Sequence, residues 1–196
     1  MSLLFEAFTR FRETLAAATA AGEPEPTAMT LATADALGRV SARTVLLKEL
    51  AGRGFVFYTN YESNKGRQLR EHAQCALVFL WKSLDKQVQV KVEGSAEAVT
   101  HCEADAYFAS RPRLSQIGAW ASLQSQTLES REQLMERVRH FEARFDGQDV
   151  PRPPHWSGFR VVPSMIEFWS GREFRLHDRL RYELRDGEWC KRTLFP

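Results

Sequence analysis

The feature that most restricts the fold is a series of short extended segments divided by turn residues. Residues 28–34, 40–47 and 55–59 are rich in strand formers, and Asp35-Ala36-Leu37-Gly38 and Gly52-Arg53-Gly54 separate them. Three strands at hairpin spacing predict an antiparallel meander. Residues 75–81 form a largely apolar run. Residues 87–92 alternate Gln-Val-Gln-Val-Lys-Val, which gives a strand one apolar and one polar face. Gly94 marks a bulge or bend. Residues 159–162, 165–169, 175–184 and 189–194 complete the predicted strands, with Asp186-Gly187 as a hairpin turn.

Helical periodicity occupies the intervals. Leu4, Phe5, Phe8, Phe11 and Leu15 predict an amphipathic helix over residues 2–21, stopped by Gly22 and Pro24. Ser63 is a suitable N-cap for a helix over 64–72. Residues 101–110 suit a helix ended by Pro112, residues 114–122 hold another turn or two, and Leu134, Val138, Phe141 and Phe145 lie along a helix over 130–145. The expectation is one domain over residues 1–196, mainly β with helices (α+β). It is a small barrel of mostly antiparallel strands with the helical segment 101–146 inserted between barrel strands. A two-layer sandwich is the structural alternative.

Composition excludes several classes. A formal net charge of +2 is too small to imply nucleic acid or an anionic membrane as partner. No window approaches 18 apolar residues, and the apolar run Leu3-Leu4-Phe5 stops at Glu6, so neither a membrane span nor a secretory leader is expected. Cys75, Cys102 and Cys190 are odd in number with no C-x-x-C spacing, and there is no H-E-x-x-H. A reduced, cytoplasmic, metal-free protein follows as the expectation. Gly52 and Gly54 lack the third glycine of a dinucleotide fingerprint. There is no P-loop, and no G-x-S-x-G.

Four clusters carry candidate chemistry. Arg43-Thr44-Val45-Leu46-Leu47-Lys48 places two cations five residues apart, on opposite faces of a regular strand. They serve one ligand only if the strand ends or bulges between them, or if they contact different parts of it. Tyr58-Thr59-Asn60 followed by Ser63 and Lys65 offers hydroxyls, a helix N-terminus and an ammonium: a phosphate site, or an ordinary capped helix start. Tyr107 and Arg111, with Ser115 beyond, share a helix face that points either to a pocket or to solvent. Arg175-Leu176-His177-Asp178-Arg179, if extended, puts Arg175, His177 and Arg179 on one face and Leu176 on the other. That face is either a solvated edge or an anion-binding surface. Gln87 and Gln89 add amides suited to the carbonyls and ring nitrogens of a heterocycle. Together the clusters describe a basic, aromatic-edged site for a phosphorylated planar ligand.

The blocks Arg43-x-Val-Leu-Leu-Lys48, Phe57-Tyr58-Thr59-Asn60, Tyr107-Phe-x-Ser-Arg111-Pro-Arg-x-Ser115-Gln-Ile-Gly-Ala-Trp120 and Glu167-Phe-Trp169 running to Arg175-Leu-His-Asp-Arg179 resemble the pyridoxamine/pyridoxine 5'-phosphate oxidase family. The resemblance runs from about Phe5 to Pro196. It implies an FMN-binding split barrel, homodimeric with active sites at the subunit interface. The implied reaction oxidises pyridoxine or pyridoxamine 5'-phosphate to pyridoxal 5'-phosphate, with O2 reduced to hydrogen peroxide. By resemblance, Arg43 to Lys48, Tyr58, Thr59, Lys65, Gln124, Ser125, Trp169 and Arg179 would hold FMN. Lys48, Tyr107, Arg111 and Ser115 would grip the substrate phosphate, and Arg175, Leu176 and His177 would face the substrate ring. Arg175 and His177 are the catalytic candidates.

Three positions depart from the family pattern. Asn64 stands where an Arg is usual, which weakens or replaces one FMN phosphate contact. The flavin-binding Gln is Gln87 counted forward from Trp81 and Gln89 counted back from Gly94, and spacing to Tyr107 favours Gln89. The basic/aromatic segment that folds over the active site in many members would lie before the start of this chain. Two further readings stand beside the oxidase: a relative on the same barrel oxidising another ring, as in phenazine biosynthesis, and a flavin- or pyridoxal-phosphate-binding carrier without turnover.

Overall fold

A computed structural model describes residues 2–196. The strands are β1 (Ala28–Ala34), β2 (Val40–Leu46), β3 (Glu49–Ala51), β4 (Gly54–Asn60), β5 (Gln74–Trp81), β6 (Val88–Ala98), β7 (Trp156–Ser170), β8 (Asp178–Arg185) and β9 (Glu188–Thr193). The helices are α1 (Leu3–Ala20), α2 (Asn64–Glu71), α3 (His101–Ala109), α4 (Arg113–Ala121) and α5 (Arg131–Arg144). All pairings are antiparallel, in the order β2-β1-β5-β6-β7-β4-β3, with β8 on β7 and β9 on β8.

The curled sheet turns on β7. Along one edge β7 pairs with β6 from Phe159 to Ser170. Along the other it pairs with β4 over Trp156 to Val161 and then with β8 over Met165 to Ser170. Pro163, which has no N–H to give a ladder, sits at this fork. Opposite it the β6 register shifts between Glu93 and Gly94, which is the bulge anticipated at Gly94. A Cβ on Gly94 would lie 2.2 Å from the Val162 carbonyl oxygen, so the bulge admits only glycine.

Helix α1 fills the concave side. Ser2 caps it, accepting from the Phe5 N–H at 3.3 Å. Its buried stripe is Ala7, Phe8, Phe11 and Ala18. The Phe11 ring meets Phe55 edge-on at 5.0 Å and Phe79 at 4.9 Å, so this helix is a core element. At its far side, Tyr182 Oη and Lys191 Nζ both donate to the Glu6 carboxylate, at 2.8 and 2.6 Å, tying α1 to β8 and β9.

The structure corrects five expectations. The three-strand meander is only a hairpin: β1 pairs with β2, whereas β4 pairs with β3 and with β7. Residues 159–162 and 165–169 are parts of one continuous strand, because β6 pairs across the proline on the opposite edge. β3 was not anticipated; three residues carry too little periodicity to be seen. Gln87 precedes β6 and does not begin it. Most importantly, Arg175 to Arg179 is not a continuous extended stretch. Glu173–Arg175 form a 3-10 turn, Phe174 and Arg175 have φ of 54° and 64°, and β8 starts only at Asp178. The ladder explains why: Ser170, the last residue of β7, pairs with Asp178, so residues 171–177 have no partner strand there and close as a loop. Leu176, expected to pack opposite the charged face, is 67% exposed.

Candidate active site

The first half of the site is a cavity of about 700 Å³ walled by the end of β2, the end of β4, the start of α2, and the α3–α4 corner. Thr44, Val45, Leu46 and Lys48 line one side. Tyr58, Thr59, Asn60 and Lys65 form the floor, and Tyr107, Arg111, Ser115, Gln124 and Trp156 close the other side. Lys48 reaches this cavity because β2 ends at Leu46, which breaks the alternation that would have sent it away. Leu47, also a candidate, instead turns into the core, 5% exposed.

Three parallel rings join the floor to that far side. Tyr58 stacks on Tyr107 with centroids 4.0 Å apart and planes within 9°, and on Trp156 at 5.4 Å and 4°. The Arg111 guanidinium lies over the Trp156 ring at 4.7 Å. Trp156 was missed in the sequence because it follows the proline-rich connector, ahead of the segment read as a strand. Tyr107 is held by α3, whose start carries a capping box: Thr100 accepts from Glu103 N–H, and the Glu103 carboxylate accepts from Thr100 N–H. Those Thr100 bonds, with Arg160, hold the Glu103 carboxyl down at about 2.

The electrostatics of this cavity are one-sided. No Asp or Glu lines it. Among the described residues, neither its three cations Lys48, Lys65 and Arg111 nor Arg43, which lies outside its lining, takes part in an ion pair. Lys65 Nζ donates only to neutral oxygens: Gln124 Oε1 at 2.7 Å, Ser63 Oγ at 3.1 Å and Thr59 Oγ1 at 3.2 Å. Burial, and secondarily the Arg43 charge, push its ammonium down to about 8. Arg43 likewise bonds Thr33, Ser41 and Gln68 side chains and the Leu31 carbonyl, all neutral. Arg111 Nη1 is buried with no hydrogen-bond partner. A buried guanidinium nitrogen with no acceptor costs free energy unless an anion arrives.

The helix start at Lys65 is partly committed to the protein itself. Ser63 Oγ accepts from Gly66 N–H at 3.3 Å, and Ser125 Oγ accepts from Asn64 N–H at 3.2 Å. Ser125 therefore sits at the α2 N-terminus, in a left-handed conformation with φ of 73°. Asn64 Oδ1 accepts from Arg67 at 2.6 Å, which brings a guanidinium to that position.

The second half of the site lies elsewhere on the chain. Across β6, β7 and β8, Gln89 pairs with Trp169 and Trp169 with Arg179. An amide, an indole and a guanidinium thus stand in one row on one face. The next row is Lys91, Glu167 and Arg181. Glu167 is 5% exposed and accepts from both arginines, Oε1 from Arg179 and Oε2 from Arg181. Burial alone would raise its carboxyl; the hydrogen bonds from Arg181 and Arg179 outweigh that and hold it below the ordinary value. Gln87, Trp169, Leu176 and His177 line a groove beside this row, and the His177 ring lies 4.5 Å from Trp169. Gln89 has the in-register place opposite Trp169, and Gln87 is at the groove.

The two halves are far apart within one chain. Trp156 borders the first and Trp169 the second, on the same strand, about 40 Å apart along its length. Within one subunit the two halves line separate cavities.

Comparison with known proteins places this architecture. The forked, curled sheet is that of the split-barrel class: a Nostoc punctiforme protein described as pyridoxamine 5'-phosphate oxidase-related and FMN-binding matches with a TM-score of 0.75 at 14% identity, covering 95% of this chain and 97% of that one. PhzG from Burkholderia lata, solved with tetrahydrophenazine-1-carboxylic acid, matches with a TM-score of 0.90 at 34% identity, over 96% of this chain and 92% of that one. The family model described as pyridoxamine 5'-phosphate oxidase matches residues 15–145, and that of the pyridoxine 5'-phosphate oxidase C-terminal dimerisation region matches residues 156–196. Pyridoxine/pyridoxamine 5'-phosphate oxidases from Xanthomonas campestris and Myxococcus xanthus are each 57% identical. The first alignment covers 99% of this chain and 98% of the relative, the second 95% and 90%. The chain belongs to the pyridoxamine 5'-phosphate oxidase family.

Proposed function

We propose that the protein is an FMN-dependent oxidase converting pyridoxine 5'-phosphate and pyridoxamine 5'-phosphate to pyridoxal 5'-phosphate, with O2 reduced to hydrogen peroxide. The observation that carries this reading is the acid-free cavity whose cations are uncompensated, above all the orphaned Arg111 Nη1. The donor set fits both phosphates. Arg43, Lys65, Gln124 and Ser125, with Thr44 to Leu46, Tyr58 and Thr59, would hold FMN; Lys48, Tyr107, Arg111 and Ser115 would hold the phosphate of the substrate. When bound, FMN supplies the acceptor for two electrons that O2 then removes.

The chain is placed as a homodimer by its dimerisation-region match. In our reading each active site joins the cavity of one subunit to the Gln89–Trp169–Arg179 row and the 172–177 loop of the other, which removes the 40 Å problem. Arg179 of the partner subunit would complete the flavin site, while the partner's Arg175 and the partner's His177 would lie against the substrate ring. Binding energy from the remote phosphate then orients the reacting 4' carbon. A guanidinium beside that carbon also disfavours the protonated amine of pyridoxamine phosphate, leaving the neutral form that can lose hydride.

Among the described residues no helix is long and apolar enough to cross a membrane. Cys75, Cys102 and Cys190 are free thiols, which fits a reducing, cytoplasmic setting.

The direct test is aerobic turnover of the FMN-loaded protein. Pyridoxal 5'-phosphate and peroxide should form in equal amounts from either substrate; neither product from both substrates would reject the proposal. The PhzG match favours one rival, oxidation of a carboxylated reduced phenazine. Faster turnover of that ring than of either B6 phosphate would select the rival.

Two further outcomes follow. Arg175→Leu should cut kcat by more than tenfold with little change in FMN affinity, whereas Arg179→Leu should weaken FMN binding by about tenfold. Equal effects on flavin binding, followed by flavin fluorescence, would contradict the division of roles. Lys65 sets the pH dependence of cofactor loading. Burial holds its ammonium at about 8, and a phosphate favours the charged form. FMN affinity of the apoprotein should therefore be flat from about pH 7, where the FMN phosphate is mostly dianionic, to about pH 8 and fall above it, by up to about tenfold per pH unit. Lys65→Gln should flatten that profile, and an unchanged fall in the variant would assign it to another group.

A further inference from the structure

The loop from Arg172 to His177 has a closed neck that the reaction chemistry described above does not use. Arg172 makes both closures. Its backbone N–H donates to His177 Nδ1 at 3.1 Å. Its guanidinium meets Asp178 Oδ2 through Nε and Nη2, each at 2.5 Å. Further bonds fix the ends of the loop. Gly171 N–H donates to the Gln87 carbonyl at 2.9 Å, and Leu176 N–H donates to the Glu173 carbonyl at 3.1 Å. The Trp169 ring lies 4.5 Å from the imidazole, tilted by 46°.

Within this neck Phe174 and Arg175 both occupy the left-handed region. Each such non-glycine residue costs about 1 kcal/mol or more, so the loop keeps its shape only while its base is held. The neck is what holds it, and it simultaneously decides the state of the histidine. An imidazole nitrogen that accepts from a backbone amide carries no proton, so in the neutral ring the proton is on Nε2.

We infer that Arg172 and Asp178 are positioning residues which fix His177 as the Nε2–H tautomer, a hydrogen-bond donor toward an electron-rich oxygen on the substrate ring. This rests on the reading of His177 as a substrate-facing residue. The oxygen that suits such a donor is the phenolate of the B6 ring, and a donor in this state takes no proton from the substrate. The adjacent Asp178 does not bond His177 itself. It acts through Arg172, whose backbone reaches the ring and whose side chain reaches the carboxylate.

The test combines tautomer and kinetics on the FMN-loaded protein. Imidazole nitrogen NMR with nitrogen-15 histidine, assigned with His177→Asn, should show Nδ1 unprotonated and Nε2 protonated at His177. In Asp178→Asn and Arg172→Gln the pattern should become a mixture of tautomers. In both, KM for pyridoxamine phosphate should rise by about five- to tenfold with a smaller change in kcat, since an exposed ion pair is a modest restraint. Asp178→Glu should recover most of the loss. A His177 protonated on Nδ1 in the unaltered protein would overturn the inference. So would Asp178→Asn and Arg172→Gln variants that keep both the tautomer and the wild-type KM. Absence of turnover in the unaltered protein would reject the oxidase reading instead, and the tautomer measurement would still decide whether the neck fixes the ring.

Discussion

Arg111→Met is expected to lower kcat/KM for pyridoxine phosphate and pyridoxamine phosphate by about 10²- to 10³-fold, with FMN still bound. The guanidinium lies over Trp156, Nη1 has no acceptor, and the residue lines the cavity. Charge-assisted hydrogen bonds to phosphate are the strong kind, and a desolvated guanidinium loses little by making them. Methionine keeps much of the apolar stem but cannot bond the anion. The effect on folding should be small, within about 1 kcal/mol, because removing a buried cation that lacks a counter-ion also removes its desolvation penalty. Steady-state kinetics and thermal unfolding of the same variant separate the two quantities. A variant with unchanged kcat/KM would remove Arg111 from the phosphate grip. One that is strongly destabilised would make the guanidinium structural.

The second large effect is expected at Gly66. A Cβ placed there would lie 2.4 Å from the Tyr61 carbonyl oxygen, 2.6 Å from its carbon and 2.7 Å from the Asn60 carbonyl oxygen. All three are backbone atoms, so no side chain can swing aside. Gly66→Ala must therefore push α2 away from the end of β4, breaking the Ser63 cap on Gly66 N–H and moving Lys65 off Thr59. Overpacking of this kind costs about 1–3 kcal/mol, and Tm should drop by roughly 3–10 °C for a chain of this length. FMN should be lost on gel filtration. Gly118→Ala is the internal control: nothing lies within 4 Å of its added Cβ, and an alanine inside α4 should raise stability by about 0.5–1 kcal/mol. Equal melting temperatures for the two variants would show that α2 has room the structure does not show.

Much of the fold was legible because it is written in local terms. The β1–β2 hairpin, the type I' turn at Asp186-Gly187 with φ of 50° and 84°, and the bulge at Gly94 each follow from residue preferences within a few positions. What could not be read depends on pairing at long range. Nothing near Pro163 says that β6 continues past it, and nothing near Arg175 says that β7 has already ended opposite Asp178. The alternating charges of Arg175, His177 and Arg179 therefore suggested a single strand face. In the structure His177 lies against Trp169 at a tilt of 46°, Arg179 is bound to Glu167, and Arg175 sits in a left-handed turn. The candidate site behaved similarly. Lys48, Tyr58, Thr59, Lys65, Tyr107, Arg111, Ser115 and Gln124 meet in one cavity, as their chemistry suggested. Trp156 was hidden behind prolines, and the separation of the second half from the first depends on the length of β7, which no motif encodes.

That separation makes the account most exposed to a mixed-dimer experiment. Arg111→Met and Arg175→Leu each disable one half of the site, and each homodimer should be nearly inactive. Co-expressed with distinguishable tags, the two chains form mixed dimers in which one composite site carries both substitutions and the other carries neither. Random mixing should restore turnover to about a quarter of the wild-type rate, and the isolated mixed dimer to about half. A mixed dimer no more active than its two parents would mean that Arg111 and Arg175 serve the same subunit's site. The composite site proposed here would then be wrong.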